Sequence, residues 1–501
     1  MAQNLISAIA WVSRGYAIKQ PKEFDLDEQE INQMKQEKLI NKKQEIQLRF
    51  SLTQDLGKIQ EQDEDSSEDN LPVFCQDLEM HGKQQMPEDG YPVAIEDLSD
   101  EEKEDYQIKS SDALVIAAKI ENEFSSLEVY IYEEEKANLF VHHEIQLSAF
   151  PLAVEWLPIQ PGQVESTSAV KGNYAIVSSF LPEIEIWNLD VVNVLEPSMV
   201  LGGEIEQNYK KVKNLKKQNK KSYKPDSHTD SVLSLSLNSF KPNILLSGSA
   251  DHSVKLWDLM LQKCVFTYNH HKDKVQISKF NTKEESVILS GGEDGKLCLF
   301  DARSPDSIHQ HKMLGVLESA CWDPIKGYQI AYSTEDGNLI LLDARKISEQ
   351  PLANFNVNKK ALSSVHMSSG VPGLLATTCL DGKIRVYDTD APIKNGQLQL
   401  ISSYNPKLES LYCGQFYQDS PWTYGCGSSQ GELFVWDMQE SQQIVSHFSN
   451  RVAPEQRPKV EDCTSKNTDD LCMKEREEIQ KMEQEDKEDM EEGGQQEEEN
   501  N

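Results

Sequence analysis

The chain of 501 residues carries 84 Asp and Glu against 50 Lys and Arg, a net charge of −34, with 38% apolar residues. No apolar run reaches the roughly 18 residues that a membrane-spanning helix needs, and the opening MAQNLISAIAWVSRG has neither the basic start nor the long apolar stretch of a secretory signal. Nine cysteines, at 75, 264, 298, 321, 379, 413, 426, 463 and 472, form no C-x-x-C pair, which argues against a disulfide framework or a zinc finger and for a reducing compartment.

In chain order, Ile6 to Val12 has the pattern of an inner strand, like SACWDP at 319–324. The expectation is that residues 1–18 supply the innermost strand of the first of several sheets, whose remaining strands begin near Asp112, with residues 19–111 looping out between them. That intervening stretch holds 25 acidic and 11 basic residues. Its Glu61–Asp69 run lacks the apolar content to offset the entropy of ordering, so the segment is expected to be mostly disordered. One amphipathic helix is expected between Phe24 and Phe50, built on Leu26, Ile31, Met34, Leu39 and Ile46. Ser66, Ser67 and Ser99 precede acidic residues, a context suited to acidophilic kinases.

From 112 to 450 one apolar strand ending in an aromatic residue and Asp recurs: IEIWNLD (184–190), VKLWDL (254–259), LCLFDAR (297–303), LILLDAR (339–345), IRVYDTD (384–390) and LFVWDM (433–438), with a degenerate LEVYIYE at 127–133. Aligning Tyr130, Trp187, Trp257, Phe300, Leu342, Tyr387 and Trp436 gives spacings of 57, 70, 43, 42, 45 and 49 residues. Each unit reads as four short strands, and long helical periodicity is missing. The turns before the aromatic strand, Asp251-His252, Asp294-Gly295, Asp336-Gly337, Asp381-Gly382 and Gln430-Gly431, are hairpin signals because such residues tolerate positive φ. A lone four-stranded sheet cannot bury both faces, so the units must pack radially. The expected fold is all-β, a seven-bladed β-propeller over residues 112–450.

Two charged segments interrupt or follow this array. Residues 203–225 contain Lys210, Lys211, Lys213, Lys216, Lys217, Lys220, Lys221 and Lys224. Eight lysines without a core role suit phosphate contacts through counterion release, or a nuclear import signal. Sequence-specific reading of nucleic acid is not implied, since arginine and stacking aromatics are nearly absent there. Residues 451–501, with 18 acidic and 8 basic residues, are expected to form a disordered acidic tail.

No catalytic constellation emerges. Gly427-Ser428-Ser429-Gln430-Gly431 matches a nucleophile elbow in letters only, because a strand follows it in place of a helix. Gly291-Gly292-Glu293-Asp294-Gly295-Lys296 is too short for a phosphate loop and also leads into a strand. The pairs His142-His143, followed by Glu144, and His270-His271 are read as structural or surface residues, since adjacent side chains on a strand point to opposite faces. The tryptophans at repeat-equivalent positions are read as core. The expectation is therefore a non-enzyme with no cofactor, no metal, no small-molecule substrate and no membrane association.

His228-Thr-Asp230-Ser-Val232, with Ser247, Asp251 and Trp257-Asp258, resembles a nearly complete WD repeat, in which His228, Ser247, Asp251 and Trp257 form a hydrogen-bonded structural tetrad. The following repeat keeps His271, Ser290 and Asp294 but has Phe300, which cannot donate. More specifically, LEVYIYEEEKANLFVHHEIQLSAFPLAVEWLP (127–158), the lysine insert and HTDSVLSLSLNSFKPNILLSGSADHSVKLWDL (228–259) resemble the periodic tryptophan protein 1 family. The resemblance implies a scaffold of the nucleus and nucleolus in ribosome biogenesis, concerned with large-subunit precursors and with ribosomal RNA synthesis or processing. Its partners would be ribosome assembly proteins and pre-ribosomal particles, with ribosomal RNA at the lysine loop. Two alternatives stand beside it: a histone-binding chromatin regulator of ribosomal RNA genes, and a ubiquitin-ligase substrate receptor.

Overall fold

The structure, a computed structural model, describes residues 4–23 and 107–452, apart from 123, 135, 163–169, 206–221 and 395. The helix expected between Phe24 and Phe50, the serines 66, 67 and 99, seven of the eight loop lysines and the tail from 453 lie outside the described residues. The chain divides into two units, residues 22–107 and the rest. Of the smaller unit only Lys22, Glu23 and Gln107 are described.

The larger unit is built from antiparallel sheets, six of four strands and a last one of three. The first sheet takes its inner strand from Asn4–Val12, paired with Ala113–Glu121 in a register running from Asn4↔Glu121 to Val12↔Leu114. Its outer strands are Phe124–Glu133 and Asn138–Leu147. The inner strands of the remaining blades are Pro151–Ile159, Val232–Leu237, Val275–Phe280, Leu317–Trp322, Ser364–Met367 and Leu411–Phe416.

Burial of one aromatic or aliphatic residue per third strand explains why the blades form a ring. Trp187 packs with Val129 and Ile131 of the first blade, and Trp257 with Leu157, Ile176 and Ile184 of the second. Phe300 meets Leu246, Val254 and Tyr268 of the third, and Leu342 meets Ile277, Leu289 and Leu299 of the fourth. Tyr387 lies against Ala331, Leu339 and Leu341, and Trp436 against Leu374, Ala376, Ile384 and Val386. Tyr130 of the first blade then packs against Cys413, Leu433 and Val435 of the last. Each blade thus covers the face its predecessor cannot bury alone, and the series returns to its start as a seven-bladed β-propeller. Trp11 reinforces the closure, donating from Nε1 to the Gln415 carbonyl at 3.1 Å and stacking on Tyr417 with ring centroids 4.6 Å apart.

The second residue of each expected hairpin turn adopts positive φ: His252 at 69°, Gly295 at 73°, Gly337 at 77°, Gly382 at 81° and Gly431 at 75°. Gly337 is constrained twice, because a Cβ there would stand 1.8 Å from the Asn358 carbonyl oxygen. His252 adopts the same backbone with a side chain.

One expectation about the blades is corrected. The last blade has three strands, ending with Leu433–Asp437, and the chain then turns into the helix Gln442–Phe448. Ile444 and Phe448, one turn apart on that helix, enter the apolar cluster between the sixth and seventh blades. Beyond it, Arg451 Nη1 and Nη2 donate to the fully buried Asp388 at 2.7 and 2.5 Å, and Asp388 also takes a 2.7 Å contact from His447 Nε2. Burial pushes the Asp388 carboxyl up, but Arg451 and His447 more than offset this and bring it to about 2. Packed chain therefore runs to Val452, past the expected boundary at 450.

Candidate functional site

The third blade carries the most completely bonded polar group. Asp251 is an acceptor only, so His228 Nδ1 holds a proton and donates to it at 2.9 Å. His228 Nε2 then accepts from the Ser247 hydroxyl at 2.7 Å, and Ser247 Oγ accepts from Trp257 Nε1 at 2.8 Å. The result is one directed chain, indole to hydroxyl to imidazole to carboxylate, with His228, Ser247 and Trp257 buried. Asp251 also accepts from the Thr229 and Ser253 amides and the Ser253 hydroxyl. Burial raises its pKa, but these bonds, His228 first, hold the carboxyl well below the usual range. Burial drives the His228 pKa down despite Asp251, which fits a neutral ring.

This chain has the letters of a hydrolytic triad without its function. Ser247 is fully buried, and its oxygen is already bonded to Trp257, so no substrate carbonyl can reach it. The fourth blade repeats the arrangement with His271 Nδ1 3.1 Å from Asp294 and Nε2 2.8 Å from Ser290, while Phe300 leaves the series without an indole donor.

The lysine insert is rooted beside this group. Glu204 pairs with Tyr223 in an isolated antiparallel bridge, the Ile205 amide donates to the Ser222 carbonyl at 2.8 Å, and the Lys224 amide donates to the Gly203 carbonyl at 2.9 Å. Ser227 joins the root to the tetrad: its Oγ accepts from the Gly203 amide at 2.9 Å and donates to the His228 carbonyl at 2.8 Å. Gly202 and Gly203, at φ 74° and 94°, turn the chain into this root. Residues 206–221 therefore leave from and return to a stapled base. Lys224 is the one insert lysine among the described residues. It lies near Glu183, whose carboxyl is raised by burial and by Glu185 and Glu204, with Lys224 pulling the other way.

The sites set aside from sequence fall as follows. Ser428 is buried in a hairpin and its Oγ accepts from the Gln430 and Glu432 amides. Gly291 and Gly292 end a strand, and Glu293–Gly295 make the turn after it. The reasoning about His142 and His143 needs correction. The register slips between Val129↔His143 and Tyr130↔Val141, so His142 is the extra residue of a bulge, and bulged neighbours can face one way. Their Nδ1 atoms are 2.7 Å apart. Burial and the adjoining ring lower the His143 pKa to about 3. Among the described residues no group of three His, Cys, Asp or Glu is placed to hold a metal ion. The described cysteines are free thiols, and burial pushes those of Cys298, Cys321 and Cys413 up to about 11, 12 and 12.

A cleft of about 220 Å³ is lined by Arg14, Lys109, Asp112, Glu133, Glu134 and Lys136. Its charges pair internally, Arg14 with Glu134 and Lys109 and Lys136 with Glu133, and the Ser111 hydroxyl that also lines it donates to Asp112 at 3.2 Å. Sequence reading missed the Glu155–Lys279 ion pair of 3.2 Å between inner strands of the second and fourth blades. It also missed the Trp156–Asn173–Asp190 series, which ends on the Ile18 amide. Neither has a spacing that repeats along the chain.

Comparison with known proteins places this geometry. The family described as WD domain, G-beta repeat matches residues 219–258 and 262–301, the third and fourth blades. The chain is 28% identical over 490 residues to an uncharacterized WD repeat-containing protein of Schizosaccharomyces pombe, spanning 90% of this chain and 92% of that one. It is 28% identical to Periodic tryptophan protein 1 of Saccharomyces cerevisiae over 76% of this chain and 77% of the relative. A Periodic tryptophan protein 1 homolog of Drosophila melanogaster is 29% identical, over 68% and 70%.

Proposed function

Because the chain belongs to the periodic tryptophan protein 1 family, we propose that it is a non-catalytic WD-repeat scaffold of ribosome biogenesis, acting in nucleolar assembly of large-subunit precursors and in ribosomal RNA synthesis or processing. The observation that carries the reading is the stapled root of the lysine insert: eight lysines within 15 residues start from a base hydrogen-bonded to the His228 backbone. A rigid ring with a cationic arm can hold RNA against proteins without transforming either. Ser66, Ser67 and Ser99 would add negative charge on phosphorylation, retuning contacts with basic partners.

The test replaces Lys210, Lys211, Lys213, Lys216, Lys217, Lys220, Lys221 and Lys224 with Ser and follows nuclear entry and crosslinking to precursor ribosomal RNA. Both are expected to fall. RNA binding by the unaltered chain is expected to weaken with salt, with a log–log slope no steeper than about −6 if all eight lysines meet single-stranded phosphates. Unchanged nuclear entry together with unchanged association would refute the role given to the insert. Recovery of histone H4 and promoter DNA, in place of precursor RNA and large-subunit proteins, would favour the chromatin alternative.

A further inference from the structure

Three phenylalanines stand at one end of the first two blades, Phe124 as the first strand residue after a hairpin turn and Phe150 and Phe180 in the connections between strands. Phe124 is 73% exposed, Phe150 37% and Phe180 57%. Turns and connections ordinarily hold small polar residues, and exposed apolar residues that adjoin one another mark interaction surfaces more often than scattered ones do. These three adjoin through bonded backbone. The pairing Ser125↔Leu147 puts the Phe124 tip beside Ser148, two residues before Phe150. The Phe180 amide donates to the Phe150 carbonyl at 3.2 Å, and the two rings meet edge to face at 6.2 Å. The strip continues to the third blade, where Ser231 Oγ donates to the Phe180 carbonyl at 3.1 Å.

Its rim is acidic. Glu121 pairs with Phe124 across the turn, and Asp230 adjoins Ser231. Glu185 accepts from Ser148, and Glu183 follows the Phe180 turn. Of the neighbouring cations, Lys119 is bonded to Glu128 at 3.0 Å and lies 3.7 Å from Glu121, so one ammonium is shared by two carboxylates and Glu121 keeps capacity for a second cation, while Lys224 belongs to the insert root. Aromatic faces can stack nucleobases, but these carboxylates oppose the phosphates that would come with them.

We propose that the Phe124–Phe150–Phe180 strip docks a protein segment in which an apolar side chain is flanked by Lys or Arg. The phenylalanines form the desolvated anchor, and Glu121 and Asp230 select the basic flanks. The proposal rests on the scaffold reading and deepens it, since a strip for basic protein would adjoin the root of an arm for RNA.

The test places the photo-crosslinker p-benzoylphenylalanine at position 180 of the full chain in cells, with position 240 as control. Phe240 is 50% exposed, in the turn at the opposite end of the third blade. Adducts mapped by mass spectrometry are expected at 180 and not at 240, on peptides with an apolar residue among Lys and Arg. Phe124→Ser with Phe150→Ser should lower their yield about tenfold. Glu121→Lys with Asp230→Lys, which leaves the apolar anchor in place, should lower it also. Adducts to RNA or to acidic peptides, equal yields at 180 and 240, or yields unmoved by both pairs of substitutions would overturn the proposal. Sedimentation with precursor particles is read separately, so failure of the strip leaves the scaffold reading standing.

Discussion

Asp251→Ala tests the buried polar chain most sharply. The carboxylate accepts from His228 Nδ1 at 2.9 Å, the Thr229 amide at 3.0 Å, the Ser253 amide at 3.0 Å and the Ser253 hydroxyl at 2.6 Å. Thr229 is exposed and can turn to water, and the Ser253 hydroxyl can rotate. The His228 N–H, on a fully buried side chain, keeps only the Ser253 hydroxyl at 3.3 Å. Exchanging a 2.9 Å charge-assisted hydrogen bond for that long contact, with the lost bonds of Ser253 added, should cost about 3–4 kcal/mol. In the fourth blade Asp294→Ala breaks longer contacts, 3.1 Å to His271 and 3.1 and 3.2 Å to two amides. It should cost about 2–3 kcal/mol. Trp257→Phe copies the fourth-blade arrangement and leaves Ser247 donating to His228, so about 1–3 kcal/mol is expected from one lost bond and a small void. Equilibrium unfolding in urea, with m-values compared across the variants, measures all three. An Asp251→Ala protein within about 0.5 kcal/mol of the unaltered chain, or less affected than Trp257→Phe, would refute the reasoning.

Trp11→Asp removes the stack on Tyr417 and the bond to Gln415 and puts a charge between the first and last blades; a loss of at least about 4 kcal/mol is expected, and wild-type thermal stability would contradict ring closure through this strand. Gly337→Ala should cost more than about 3 kcal/mol, because its Cβ meets the Asn358 carbonyl at 1.8 Å, whereas Gly295→Ala, with nothing within 4 Å, should cost only the left-handed penalty of about 1–2 kcal/mol; equal unfolding midpoints would sink the distinction. Stability should also fall as pH drops from 7 to 5. Burial, with Lys279 close by, lowers the His366 pKa to about 3, and His143 also lies at about 3. Protons then bind the unfolded chain first, so the stability present above the unfolded value is lost on the way down, about 2 kcal/mol for each histidine at pH 5. His366→Gln should shrink the difference between urea titrations at the two pH values by about 2 kcal/mol, with His143, His228 and His311 keeping the rest, and an unchanged difference would exclude this histidine.

The propeller is legible because its main constraint repeats. Every third strand must bury one large residue against the preceding blade, so Trp187, Trp257, Phe300, Leu342, Tyr387 and Trp436 recur at blade spacing even where the residue type drifts. The turn residues announce themselves for a similar reason, since positive φ restricts what can stand there. What breaks the repeat is hidden. The helix Gln442–Phe448 replaces a strand over only two turns, too short for its period to rise above the surrounding strands. Asp388 and Arg451 meet across 63 residues, a pairing that no local pattern encodes. The His142 bulge reverses a facing argument that assumed regular alternation. At the insert, composition shows cationic chemistry, but the Ser227–Gly203 staple that roots it follows from the fold.

The scaffold account stands or falls on sedimentation of the tagged full chain through a sucrose gradient of nuclear extract. Co-migration with large-subunit precursor particles and their precursor RNA, shifting to the top of the gradient when the insert lysines become serine, is the predicted result. A chain that stays in the free fractions, or that travels with chromatin while precursor particles lack it, would contradict the claim.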